Sequence, residues 1–203
     1  MQIFKCPEGI AECAAVVKKG GVIVFPTDTV YGIGCDPFDD VAAGRIFSIK
    51  GRSVDLPLPV LVRNIEVAEK LAELGKTGRL LASHFWPGAL TIVAPVIDKQ
   101  ISDKVTAGRK SLAVRVPAND CTLALLKECR YIVGTSANLS GVRPCKTALQ
   151  VLESRLEGYN ALLADSETLA GTESTIIDLT GPKPTIARQG AIAASEINAF
   201  LGL

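Results

Sequence analysis

Four consecutive apolar residues, Val22-Ile23-Val24-Phe25, follow a helical stretch and a Gly20-Gly21 break, and this succession constrains the fold more than any other feature. A short, unbroken apolar run marks a strand covered on both faces, as in sheets flanked by helices. The preceding Ile10, Cys13, Ala14 and Val17 recur at helical spacing and form one apolar stripe. The pattern then repeats. Strands are expected at Leu58 to Val62, Leu90 to Val96, Leu112 to Val116, Tyr131 to Val133, Ala161 to Ala164, Ser174 to Leu179 and Thr185 to Ala187. Helices are expected through Ala42-Ile46-Ile49, Val67-Leu71-Leu74, Leu80 to Phe85, Leu123 to Lys127, Ala148 to Leu156 and Ala194 to Leu201. Such alternation predicts an α/β domain with a mixed sheet flanked by helices. No repeat, linker or low-complexity segment divides it, so residues 1–203 are expected to be one domain.

The net charge of +1 offers no global attraction to nucleic acid or membrane, so any affinity for polyanions must come from local clustering. No apolar run reaches the ~18 residues of a membrane span, and Met1-Gln2-Ile3-Phe4-Lys5 does not open like a signal peptide. A cytoplasmic protein without membrane contact is expected. The six cysteines (Cys6, Cys13, Cys35, Cys121, Cys129 and Cys145) form no Cys-x-x-Cys pair, and His84 is the single histidine. They are expected to be reduced small hydrophobes rather than metal ligands.

Common nucleotide motifs are missing. Gly75-Lys76-Thr77 resembles the end of a P-loop, but Lys70 stands where its first glycine belongs. Gly32-Ile33-Gly34-Cys35-Asp36-Pro37 has proline in place of the third glycine of a dinucleotide fingerprint. There is no Gly-x-Ser-x-Gly elbow, and His84 before Phe85-Trp86 reads as structural, with Trp86 in the core. What remains is a set of cationic and hydroxyl-rich stretches: Thr27-Asp28-Thr29, Lys50-Gly51-Arg52, Arg115, Ser136-Ala137-Asn138 and Thr172-Glu173-Ser174-Thr175, with Arg188. Lys50 and Arg52 leave the last turn of a helix, either as solvated charges or as a phosphate site. An arginine inside an apolar strand needs an anion, so Arg115 meets either a ligand or a carboxylate such as Asp28 or Asp178. Ser136 and Asn138 are either turn formers or ligand contacts.

Phe25-Pro26-Thr27-Asp28-Thr29-Val30-Tyr31-Gly32, Lys50-Gly51-Arg52, Trp86-Pro87-Gly88-Ala89-Leu90-Thr91, Ser111 to Pro117, Thr135 to Gly141 and Ser174 to Asp178 together resemble the YrdC family, in order and almost end to end. The resemblance implies a twisted, mixed open sheet with a concave basic cleft. It also implies a threonylcarbamoyl-AMP synthase, a nucleotidyltransferase that joins L-threonine, bicarbonate and ATP and releases pyrophosphate. Its product serves the threonylcarbamoyl modification of adenosine 37 in tRNA. Carried over by motif, Lys50 and Arg52 hold the phosphates and carry catalysis. ATP also meets Ser111, Ser136, Ala137, Asn138, Cys145 and Arg188, while threonine meets Thr29, Leu61, Arg115, Thr135 and Ser174. Mg²⁺ is expected with ATP, held by phosphates and water rather than by protein side chains.

The family likeness implies a TsaD-type transferase complex downstream. The segments at Pro57 and Arg143-Pro144 are candidates for a closing element. Two positions depart from the pattern: Ser53 replaces a frequent proline, and Leu61 a frequent histidine. The chain ends at Leu203 as a single-domain type would. Other readings are a double-stranded RNA, tRNA or ribosome-maturation module, and a paralogous carbamoyl-transfer enzyme of hydrogenase maturation.

Overall fold

The predicted alternation resolves, in the computed structural model that describes residues 1–203, into two sheets rather than one. The first is ordered β1 (Gln2–Lys5), β9 (Ala161–Ala164), β2 (Ile23–Phe25), β3 (Gly32–Gly34) and β8 (Thr135–Ser136). The second is ordered β11 (Thr185–Arg188), β10 (Thr175–Asp178), β5 (Leu90–Pro95), β6 (Ser111–Arg115), β4 (Val60–Val62) and β7 (Tyr131–Val133). Both sheets are mixed: β9 runs parallel to β1 and β2, and β4 parallel to β6, whereas β3, β7 and β11 are antiparallel to their neighbours.

β2 is wholly buried, as its unbroken apolar run requires. It is covered by α1 (Ile10–Lys18), which turns Cys13, Ala14 and Val17 inward and packs on α6 (Asp120–Cys129). Asn119 caps α6, its Oδ1 accepting from Thr122 N at 2.9 Å. Two strands lie where the sequence reads as polar loop. β8 spans only two residues, and β3 is Gly-Ile-Gly, a composition with little strand propensity. Its Gly34 approaches the backbone of β7 so closely that a Cβ would stand 1.7 Å from the Val133 oxygen. The helix expected through Val67 to Leu74 is one turn, α3 (Ile65–Ala68), because Ala72 pairs with Val96 instead.

The sheets meet at one short link. Chain leaves the second sheet at Val133 and enters the first at Thr135 through Gly134 alone, whose N–H donates to Pro59 O at 2.9 Å. Val133 N donates to Cys35 O at 2.8 Å across the same seam. A 38-residue core fills the space between the sheets and their helices, and a 12-residue core lies under α1 and α6.

One expectation is corrected here. Cys6 and Cys121 are not reduced: their Cα atoms lie 6.1 Å apart and the sulfurs form a disulfide joining the end of β1 to the first turn of α6. The pairing is set by tertiary proximity across 115 residues of chain, which spacing in the sequence does not reveal. The other four are free, and burial pushes the Cys13 thiol up to about 12 and the Cys35 thiol up as well, as for inert hydrophobes. Reduction with a phosphine should cost about 2–5 kcal/mol of stability by freeing a long loop in the unfolded chain. Chemical denaturation of oxidised and reduced protein checks this, and activity should persist because neither sulfur touches the cleft described next.

Candidate functional site

The angle between the two sheets holds a cleft of two lobes. The inner lobe draws Thr27 and Thr29 from the β2–β3 loop, Leu61 from β4, Arg115 from β6, Thr135 from β8 and Ser174 from the start of β10. The outer lobe is walled by Lys50, Leu56, Asn138, Ser140, Val142 and Pro144. Arg52, Ser136, Glu173 and Arg188 line both and form the neck between them.

Arg115 ends β6, 5% exposed, and is in register with Leu61 of β4, so both side chains face the inner lobe. Its Nη2 donates to Asp28 Oδ1 at 2.6 Å, its Nη1 to Thr29 Oγ1 at 3.1 Å and its Nε to Gly88 O at 2.9 Å. The internal carboxylate is therefore Asp28; Asp178 instead accepts from the N–H and hydroxyl of Thr180. Three of the five guanidinium donors are engaged, leaving two for a ligand. Thr27 Oγ1 gives its one proton to Val30 O, so the 2.9 Å contact between the two hydroxyls has Thr29 as donor. The relay from Arg115 through Thr29 to Thr27 thus holds both hydroxyls in one direction. Burial pushes the arginine toward proton loss and Asp28 opposes it.

Asp39 caps α2 (Asp40–Lys50) through bonds to Val41 N and Ala42 N, and Gly51 ends it at φ 57° in the left-handed region. That ending turns Lys50 and Arg52 toward the cleft, but they do different things. Lys50 is 2% exposed, and its Nζ donates to the carbonyls of Ser136 and Asn138, the latter at 2.7 Å. Ser140 N returns a bond to Lys50 O at 2.9 Å. Lys50 is thus a brace between helix and loop that also lines the outer lobe with one ammonium N–H to spare. Burial, with Arg52 nearby, pushes its ammonium down to about 8.

Arg52 has one bond, Nη2 to Pro57 O at 3.3 Å, and its buried Nε has no partner. Burial pushes the Arg52 guanidinium down too; Glu173 opposes this and Arg188 adds to it. Arg188 is tied to Ser174 O at 2.8 Å, Ser174 Oγ at 3.2 Å and Glu173 Oε2 at 3.1 Å. Asn138 spends its amide N–H groups on Leu139 O and Val142 O, as a turn former would, while its buried Oδ1 lacks a donor. Both unpartnered buried atoms, one donor and one acceptor, belong to residues of the outer lobe.

Three expected ATP contacts line neither lobe. Ser111 shares the strand face of Arg115 but stands four residues away, roughly 13 Å at the rise of a strand. Ala137 is fully buried and gives its N–H to Tyr31 O at 2.7 Å. Cys145 is buried in the core and its carbonyl takes Tyr31 N at 2.9 Å. His84 lies outside the cleft, stacked on Phe200 at 4.3 Å, and Trp86 is buried with its indole N–H on Leu90 O at 2.7 Å. Conversely, Thr27, Thr91 and Glu173 line the inner lobe without having been given a role. Thr91 Oγ1 lies 2.8 Å from Ser174 Oγ. The signal for Glu173 was its place in the hydroxyl-rich stretch before Ser174, where a charged residue stands out.

A model of the Sua5/YciO/YrdC family, described as telomere recombination, matches residues 15–190. A threonylcarbamoyl-AMP synthase of Pyrococcus abyssi is 37% identical over 191 residues, covering 93% of this chain and 56% of that protein. Among solved structures, P. abyssi Sua5 complexed with L-threonine superposes with a TM-score of 0.92 at 35% identity, over 99% of this chain and 60% of that one. E. coli YciO follows with a TM-score of 0.85 at 25% identity, over 97% and 98%. The chain thus spans little more than half the length of its P. abyssi relative.

Proposed function

The chain belongs to the Sua5/YciO/YrdC family, and from that membership we propose that it joins L-threonine, bicarbonate and ATP into threonylcarbamoyl-AMP and pyrophosphate. The observation that carries the reading is the shared neck. Arg52 and Arg188 stand between a lobe floored by Arg115 and a lobe braced by Lys50, so an amino acid and a triphosphate placed in the two lobes meet there. Four cationic side chains against Asp28 and Glu173 leave the cleft with excess positive charge, which favours that pairing of ligands.

Arg115 takes the amino-acid carboxylate with its two free donors, and Thr29 and Ser174 set its orientation. The amine becomes a carbamate, whose oxygen attacks the α-phosphorus. Arg52, with its unpartnered Nε, and Arg188 neutralise the charge that grows on the phosphate oxygens. Lys50 keeps Ser136 and Asn138 aligned beside them. No group of three or more His, Cys, Asp or Glu side chains is placed to hold a metal, so Mg²⁺ would enter on the triphosphate with phosphate and water ligands. The product is an acyl-adenylate, and a TsaD-type transferase is its consumer on this reading.

Incubating the protein with ATP, bicarbonate and each amino acid in turn tests the reading. Pyrophosphate should appear with L-threonine and need bicarbonate. Release independent of the amino acid would overturn it.

A further inference from the structure

We propose that Glu173 binds the α-ammonium group of the amino-acid substrate and accepts the proton this nitrogen must lose to become a carbamate, an inference that rests on the synthase reading above. Glu173 sits at the neck, lining both lobes, and its side chain is 38% exposed. Its main chain is held: Ala191 N donates to Glu173 O at 2.9 Å, and the following Thr175 N donates to Ala89 O at 2.9 Å. The carboxylate itself has one partner, Arg188 Nη1 at 3.1 Å. It is therefore a half-exposed, singly paired anion on a fixed base.

Its presence among cations is otherwise unaccounted for. A carboxylate beside Arg52, Arg188 and Lys50, the charged groups that face it, weakens a pure phosphate site. An amino acid, however, arrives as a zwitterion, and Arg115 answers only its carboxylate end. Among the side chains lining the two lobes, Glu173 is the one carboxylate, and no histidine, cysteine or tyrosine lines either. Lys50 has two N–H groups committed to carbonyls and is a donor there. Thr29 has no proton free to rearrange, because the relay from Arg115 to Thr27 holds it.

The chemistry requires such an acceptor. An ammonium and bicarbonate give a carbamate, water and one proton: the nitrogen–carbon bond forms, one carbon–oxygen bond of bicarbonate breaks, and that oxygen leaves as water. One of the two protons lost by nitrogen goes into the water. The other goes to Glu173 and from there to solvent. When a triphosphate engages Arg52 and Arg188, their pull on Glu173 weakens and the carboxylate turns to the ammonium.

Glu173→Gln tests this without dismantling the nucleotide side, because Arg188 keeps its bonds to Ser174 O and Oγ. At about pH 7 the variant should lose roughly 10²–10⁴-fold in turnover, the usual worth of a positioned proton acceptor. Most of this should return by about pH 9, where the α-amine sheds its proton unaided. The KM for ATP should stay near the wild-type value, and Glu173→Asp should recover part of the activity. In calorimetry with a non-hydrolysable ATP analogue present, L-threonine should bind the variant more weakly than wild type, whereas its des-amino analogue 3-hydroxybutyrate should bind both proteins alike. A pH profile parallel to wild type, rescue by excess Mg²⁺, or undiminished threonine binding would each overturn the assignment. Threonine binding that depends on Glu173 in a protein releasing no pyrophosphate would sink the synthase reading and leave the ammonium site standing. A wild-type protein that does not bind threonine would sink this proposal directly.

Discussion

Arg115→Ala is expected to cost about 3–5 kcal/mol of stability, the usual penalty for stranding one member of a buried ion pair. Asp28, half-buried, would lose the 2.6 Å contact with Arg115 Nη2 and keep only Ala118 N at 3.0 Å. Thr29 would lose its donor and Gly88 O its 2.9 Å bond. Saturation by threonine should disappear in the same variant. A second variant separates the two effects: Arg115→Met with Asp28→Asn removes both charges and should restore most of the stability, because no lone ion is left behind. It should not restore threonine dependence. Urea denaturation and threonine titration of both variants are the measurements. A single variant that is unstable yet saturates normally would confine Arg115 to the ion pair.

Lys50→Met is the second large effect, and it falls on turnover more than on folding. The substitution leaves the Ser136 and Asn138 carbonyls without their donor, at about 1–3 kcal/mol each. It also removes a buried charge, and the two changes oppose one another. Alignment of the outer lobe has no such offset, so pyrophosphate release should fall roughly 10²–10³-fold, as when one fixed donor is withdrawn from a transition state. The pH dependence identifies the cause. Burial holds the Lys50 ammonium near 8, below its usual 10.5. Between those values the unfolded chain binds more protons than the folded one, so wild-type stability gains on the order of 3 kcal/mol from this group as pH rises through the window. The penalty is fully present below about pH 8 and gone above 10.5. ATP binding should weaken over the same rise. Both trends should be missing from Lys50→Met; a variant that keeps them assigns the titration to another group.

The cleft was legible where a motif coincided with a strand end or helix end. Arg52, Arg115, Thr135, Ser136, Asn138, Ser174 and Arg188 stand at or just beyond such an end and line the lobes, as do Thr29 in the β2–β3 loop and Leu61 in the middle of β4. Ser111 and Ala137 belong to the same motifs and Cys145 lies just beyond one, yet none lines the lobes: Ser111 stands at the far end of β6, and Ala137 and Cys145 are buried in the core. The role of Lys50 could not be read from its type: the same ammonium serves a phosphate or two carbonyls, and only the loop at Ser136 to Asn138 decides. Asp28 was one of two carboxylates open to Arg115 until tertiary placement chose between them. The disulfide and the division into two sheets had no local signature, because both depend on contacts between residues far apart in the chain.

Gly134 has a wider consequence than its size suggests. A Cβ at this position would stand 2.6 Å from Cγ and Cδ1 of Leu61, so the bare backbone is what lets that leucine reach the floor of the inner lobe. A hinge one residue long also gives the two halves of the binding groove almost no independent play. Width of the groove and bulk at position 61 are therefore coupled variables: enlarging the joint would narrow the seat for the amino acid, and trimming the leucine is the compensating change that would let the joint grow.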